Sequence, residues 1–397
     1  MKNKSDRDPQ AINNGSPSAA LTPTAQPVAD NADCSSPRRQ FLTRATALLA
    51  ASTALSGCAS LSAGASDSSG AASPGPVAAT RGATPVPRLK AGGRIAIVAP
   101  ASSATDKVDE ASRWLNALGF EVRIMPACRT TLPAPFDYLA GTDTARLADL
   151  HAAFAAPDVD AVWCLRGGFG STQLLDKIDY ALLRANPKPF IGYSDITALH
   201  AAIQRHANFV TFHGPMLSSD LLIPKQAPTE ENVFAMIQGR VAPGVWFKPP
   251  AAFPLTALAP GVAAGRLVGG NLSLQCSVLG TPYEIDTRDA ILFIEDVGET
   301  PSRIDRLLTH LRLAGKLASI KGVLIGNFSD LGEHPDEVVD PVVLQPLFRR
   351  IFEPLGIPVL AGWPSGHCDP NLTLPLGASI RLDTARGALL LERPIVV

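Results

Sequence analysis

The sequence predicts an α/β protein: an N-terminal, mainly parallel sheet flanked by helices, then a smaller C-terminal α+β domain. Three observations carry this. Short apolar runs alternate with helical stripes between residues 94 and 212. The apolar runs are followed directly by glycine- or serine-bearing turns, as at strand ends of a sheet covered on both faces. A proline-rich, aperiodic stretch at 240–262 then separates a second unit.

The elements follow in order. RIAIVA at 94–99 is an apolar strand. Residues 106–119 carry Val108, Ala111, Trp114, Leu115 and Leu118 at helical spacing and close on Gly119. Phe120–Ile124 is the next strand, and a helix follows over 143–155. Ala161–Leu165 is an apolar strand with RGGFGS behind it, and a helix is expected from Ser171. Phe190-Ile191 leads into GYSD and a further helix with Ile196, Leu199 and Ile203. Phe209–Phe212 is one more strand. Beyond the 240–262 break, Ala290–Ile294 and Gly322–Ile325 are strands around a helix at 301–314. Val359-Leu360 leads into AGWPSGHCDPN, and two β-rich segments close the chain. The expected domains are 89–240 and 263–397, joined by the linker 241–262.

The first 88 residues differ in kind. Residues 1–37 are polar and cannot bury a core. Arg38-Arg39 then precede Gln40-Phe41-Leu42 and a mildly apolar run, Ala45 to Leu55. A membrane-spanning helix needs about 20 residues, so the run has the length of a signal h-region. The arginine pair resembles a twin-arginine export signal. The run ends in Leu55-Ser56-Gly57-Cys58, which is similar to a bacterial lipoprotein cleavage box, with Cys58 as the lipidated residue. The rival is an ordinary secretory signal with Cys58 incidental. Residues 1–58 are thus expected to be a signal segment and 59–88 a flexible tether. The expected location is the periplasm, free or membrane-anchored; the alternative is the cytoplasm.

Composition narrows the function classes. The 397 residues carry a formal net charge of −1 and 6% aromatic residues. Neither a basic patch for nucleic acid nor a stacking surface for bases is implied. Contact with a membrane is expected only through the N-terminal lipid. The six cysteines, Cys34, Cys58, Cys128, Cys164, Cys276 and Cys368, have no metal spacing. The seven histidines form no HExxH or similar ligand set. No metal or cofactor is expected.

GYSD, FIEDVGE and GWPSGHCDPN each follow an apolar strand and offer Ser194, Glu295 and His367. A neutral serine is a poor nucleophile. It needs a base, and the base needs an orienting carboxylate. The GYSD corner has the form of a nucleophile elbow, a strand-to-helix turn that exposes a hydroxyl. It sets the Asp195 amide at a helix N-terminus, where it could hold an oxyanion. The match to G-x-S-x-G is partial, since Ile196 stands at the second Gly. On spacing alone a helix N-cap is the commoner reading of Ser194. Gly167-Gly168 bring backbone close to something, with a tight turn or a phosphate cradle as alternatives. Glu299 reads as a helix N-terminal charge. His213, ending a strand, is expected near the site.

Taken together, GGRIAIVAPAS, RGGFGS, FIGYSDITALH, TFHGPM, GGNLSLQCSVLGTPY, ILFIEDVGETPSRIDRLLTHLRLAG and GHCDPNLTLPLG resemble the LD-carboxypeptidases, a family of serine peptidases. They occur in the family's order across nearly all of 89–397. The resemblance implies two domains with the active site between them. It implies a triad of Ser194, Glu295 and His367, and an activity that removes D-alanine from murein tetrapeptides. It implies an oxyanion hole from the amides of Asp195 and Gly168. The substrate carboxylate would be held by Arg166 or by backbone near Gly167. A homodimer is an assembly the sequence allows. One departure stands out: well-known members lack a signal peptide. Two rival readings remain at this level. One is a self-immunity peptidase of the same fold that cuts an antibiotic peptide-nucleotide. The other is a non-catalytic murein-binding lipoprotein.

Overall fold

The computed structural model describes residues 82–332, 334 and 337–397. The signal segment with Cys58, and the tether as far as residue 81, lie outside the described residues. The described residues fall within one compact unit, Ala72–Val397.

The first sheet contains β1 (Arg94–Val98), β2 (Glu121–Ile124), β3 (Ala161–Cys164), β4 (Phe190–Gly192) and β5 (Thr211–His213), all parallel. Its connections are α1 (Val108–Ala117), α2 (Asp143–Ala155), α3 (Tyr180–Ala185) and α4 (Thr197–His206); α5 (Thr229–Ile237) follows β5. β3, β4 and β5 are buried along their whole length, and β1 is buried beyond Arg94, as a parallel sheet under helices requires. The second sheet contains β6 (Trp246–Phe247), β7 (Thr256–Ala259), β8 (Val262–Asn271), β9 (Ala290–Val297), β10 (Gly322–Ser329) and β11 (Val359–Ala361). Helices α6 (Leu272–Ser277), α7 (Pro301–Leu313) and α8 (Gln345–Phe352) connect these strands. Of the closing strands, β13 (Ser379–Asp383) and β14 (Ala388–Leu391) complete the second sheet, in the order β6-β14-β13-β8-β9-β10-β11-β7.

The remaining strand, β12 (Leu374–Leu376), places the site. It leaves the second sheet and pairs antiparallel with β5, so the first sheet has the order β12-β5-β4-β3-β1-β2. The loop between β11 and β12 is therefore stretched from one sheet to the other. His367 lies on that loop, and Ser194 lies directly after β4.

Four expectations need correction. Packing begins before Leu89: Val86 is fully buried and bridges to Val396, and Thr84 bridges to Phe209. That pairing occupies Phe209 and Val210, so β5 starts at Thr211. The 241–262 stretch is not bare linker, since β6 and β7 form the two outer edges of the second sheet. Ser171 opens only a 3-10 turn, Ser171–Leu174. Asp195 holds that turn by accepting the Ser171 amide at 2.8 Å, and the Asp179 side chain starts α3 afresh by accepting the Leu182 amide.

Candidate active site

The site begins with a backbone that has little freedom. A Cβ at Gly192 would lie 3.0 Å from Ile196 Cγ1 and 3.2 Å from Cys164 Cβ. A side chain there would be crowded by Ile196 and Cys164, which gives the small residue two places before the serine a packing reason. Ser194 itself has φ of 60°. A left-handed backbone at a non-glycine residue costs about 1–3 kcal/mol and persists where the surroundings impose it. The short 3-10 helix Ser194–Ile196 then runs into α4. The Asp195 side chain points away from solvent, accepting the Ser171 amide, while Ser171 Oγ donates to its carbonyl at 2.6 Å. Burial pushes the Asp195 carboxyl up, and the Ser171 donors and Arg146 oppose that.

His367 faces this corner. Its Nε2 lies 3.0 Å from Ser194 Oγ, and its Nδ1 lies 2.7 Å from Glu295 Oε2. Glu295 is fully buried near the end of β9, and the His367 amide also donates to Oε2 at 3.3 Å. Burial disfavours the imidazolium, but the hydrogen bond and charge of Glu295 outweigh it and raise His367 above the ordinary histidine range. Gly366 has φ of 107°, and a Cβ there would land on Glu295 Oε2. The Gly-His pair is thus a steric requirement of the carboxylate. The His367 carbonyl accepts from Asn327 Nδ2 at 2.8 Å and Ser329 Oγ at 3.2 Å, and Asn371 Oδ1 accepts the Gly366 amide at 3.0 Å.

The next carboxylate along β9 does something else. Asp296 Oδ1 accepts from Asn271 Nδ2 at 2.8 Å, and its Oδ2 accepts from the Ser273 amide at 2.9 Å and Ser273 Oγ at 2.7 Å. It ties β9 to the start of α6.

Ser194, Glu295 and His367 therefore form one hydrogen-bonded line. The other candidates are placed differently. A Cβ on Gly167 would lie 3.2 Å from Ser194 Cβ, so this glycine sits against the serine. Gly168 has φ of 97° and passes tightly over Ser102, whose Oγ accepts the Phe169 amide at 3.0 Å. Arg166 donates to the Ser103 carbonyl at 3.1 Å. His213 is fully buried, and burial holds it well below the ordinary histidine range. The Tyr193 ring stands between it and His367, with centroids 5.8 and 4.8 Å away. Cys128, Cys164 and Cys276 are buried free thiols, and Cys368 is half-buried and free.

Sequence reasoning did not single out Tyr193, Asn327, Ser329 or Asn371. Tyr193 and Asn371 lie inside the quoted motifs. Asn327 and Ser329 alternate on β10 like any strand residues, and nothing local marks them.

Known proteins resemble this chain along most of its length. The LD-carboxypeptidase N-terminal domain profile matches residues 95–214, and the C-terminal domain profile matches 264–382. A probable murein peptide carboxypeptidase of Bacillus subtilis (strain 168) is 40% identical over 305 residues, 77% of this chain and 93% of that one. The murein tetrapeptide carboxypeptidase of Pseudomonas aeruginosa is 35% identical over 302 residues, 74% of this chain and 94% of that one. A muramoyltetrapeptide carboxypeptidase from Oxalobacter formigenes superposes with a TM-score of 0.61 at 30% identity, over 75% of this chain and 97% of that one. The microcin C7 self-immunity protein MccF, in complex with aspartyl sulfamoyl adenosine, shares the fold with a TM-score of 0.71 at 24% identity, over 79% of this chain and 99% of that one. Fold and sequence thus define a hydrolase of the peptidase class. The chain belongs to the LD-carboxypeptidase family.

Proposed function

We propose that the protein is a serine carboxypeptidase that cleaves murein tetrapeptides between the L-centre of the diamino acid and the terminal D-alanine. The observation that carries this is the line from Glu295 through His367 to Ser194, held at 2.7 and 3.0 Å. His367 Nε2 takes the Ser194 proton as Oγ attacks the last peptide carbonyl. Glu295 fixes the tautomer by accepting Nδ1–H and balances the imidazolium that forms. The Asp195 and Gly168 amides receive the oxyanion, a role in which one donor is worth about 10²–10³ in rate. His367 then protonates the departing amine of D-alanine. Water, activated by the same imidazole, releases tripeptide from Ser194. An exopeptidase must also hold the terminal carboxylate. The backbone at Gly167, which packs against Ser194, and the neighbouring Arg166 are the groups we assign to it.

The same triad would serve a peptidase acting on a peptide-nucleotide, and the fold shared with MccF keeps that second reading open. A side-by-side assay separates them. Full-length protein is given disaccharide-tetrapeptide in one reaction and an aminoacyl sulfamoyl adenosine in the other. Cleavage of the first alone supports the murein reading. Cleavage of the second alone replaces it.

Among the described residues no helix is long and apolar enough to cross a membrane. We propose that the chain is exported and held at the membrane through Cys58, on the strength of its N-terminal sequence. Cys58→Ala should then move the protein from the membrane to the soluble fraction. Unchanged membrane association would rule this out.

A further inference from the structure

We propose that Asp220 and Lys225, an ion pair of a buried carboxylate and a half-buried ammonium on the segment after β5, are positioning residues for His367: they fix the imidazole through Tyr193 and the Cys368 carbonyl, and their opposed charges set how readily it takes the Ser194 proton. The proposal rests on the serine-peptidase reading.

The contacts converge on the histidine from three directions. Tyr193 presents its ring to the imidazole at 4.8 Å and 60°, and its hydroxyl donates to Asp220 Oδ1 at 3.4 Å. Asn371, which holds the Gly366 amide, donates its Nδ2 to the same oxygen at 3.4 Å. Lys225 Nζ lies 3.7 Å from Asp220 Oδ1 and donates to the Cys368 carbonyl at 3.5 Å. The neighbouring Gln226 amide donates to Asp369 Oδ1 at 2.6 Å. One short segment thus grips both residues that follow His367.

Asp220 is 1% exposed, and a buried carboxylate is costly unless it is well paired. It accepts the Met216 amide at 3.1 Å and Ser219 Oγ at 3.0 Å with its other oxygen. Residues Leu217–Leu221 form a π-turn, the wider helical ring that often marks functional sites. None of these groups belongs to the triad. Lys225 lines a groove of about 600 Å³ that contains no triad residue.

The charges around His367 fix the expected signs. Glu295 and Asp296 face it from β9, Asp220 and Lys225 from this segment, and Asp369 from its own loop. Tyr193, Ser194, Cys368 and the neutral His213 complete the surround. Burial lowers the proton affinity of the imidazole, while Glu295, then Asp296 and Asp220, raise it. Removing the Asp220 charge should therefore make His367 a weaker base. Removing Lys225 leaves Asp220 uncompensated and should make it a stronger one.

Two measurements on the full-length protein decide the matter: NMR titration of the His367 ring nitrogens, and kcat against KM for disaccharide-tetrapeptide. Asp220→Asn is expected to lower the His367 midpoint by roughly half a pH unit and Lys225→Met to raise it by a similar amount. Tyr193→Phe should lower kcat about tenfold with KM within twofold, because the ring remains but its anchor is lost. If Asp220→Asn does not fold, the opposite sign of Lys225→Met and the kcat loss of Tyr193→Phe still decide. Variants that change only thermal stability, with the His367 midpoint and kcat at wild-type values, would overturn the proposal. If the wild type does not cleave the tetrapeptide, the functional reading falls, and the NMR midpoints still test the ion pair.

Discussion

The Ser194 corner and the His367 loop deliver two halves of one hydrogen bond by different means. The corner is held locally. Gly192 sits under Ile196, Ser194 takes a left-handed backbone, and α4 starts at once. The loop has bonds of its own, such as Asn371 Oδ1 accepting the Gly366 amide at 3.0 Å, but they do not suffice to aim it. It is stretched between β11 and β12, and its placement comes from side chains elsewhere: Glu295, Asn327, Ser329 and Lys225. A nucleophile can be aimed by the few residues around it. A base that must meet both a serine and a carboxylate needs support from two sheets. Backbone strain places the first, and a laced network places the second.

Substitutions sharpen this contrast, beginning with the largest effect. Ser194→Ala should lower turnover by roughly 10⁴–10⁶ with no loss of thermal stability, since it removes the nucleophile and not the corner. Retention of a tenth of the activity would break the nucleophile assignment. Glu295→Gln should cost roughly 10³–10⁴ in kcat by releasing the tautomer. It should also move the pH profile. The base must be neutral to act, so kcat/KM of the wild type should fall, as pH drops, around a midpoint above the ordinary 6.5. In Glu295→Gln that midpoint should lie lower. The sign for stability is the reverse: the raised proton affinity stabilises the fold at low pH, and this contribution is lost as pH rises through the folded midpoint.

Smaller effects separate the two regions. Gly366→Ala forces a side chain onto Glu295 Oε2 and should cost roughly 10² in kcat by shifting the imidazole. Asn327→Ala removes one hydrogen bond to the His367 carbonyl and should cost about tenfold in kcat with little change in melting temperature. Gly192→Ala should act on the fold instead, destabilising by about 1–3 kcal/mol through overpacking against Ile196 and Cys164. If Asn327→Ala melted as early as Gly192→Ala, the loop would be part of the core and the contrast would fail.

What the sequence could reveal follows the same division. The alternation of strands and helices was plain because a buried parallel sheet demands unbroken apolar runs. Ser194, Glu295 and His367 were legible because each follows such a run and carries a reactive group. The 241–262 strands were not legible, because edge strands need no alternation and tolerate proline. The early packing of Val86 was hidden inside a composition that otherwise resembles a tether. The lacing of the His367 loop was out of reach for another reason: Asp220, Asn327 and Asn371 meet only after the sheets have formed, and no spacing links them.

The most direct test of the central claim is to incubate purified full-length protein with disaccharide-tetrapeptide, without added metal, and follow the product by mass spectrometry. Loss of a single alanine residue by the wild type, absent in Ser194→Ala, is the predicted result. An unchanged tetrapeptide with the folded wild type, or equal alanine loss with Ser194→Ala, would contradict the assignment of this serine and this substrate.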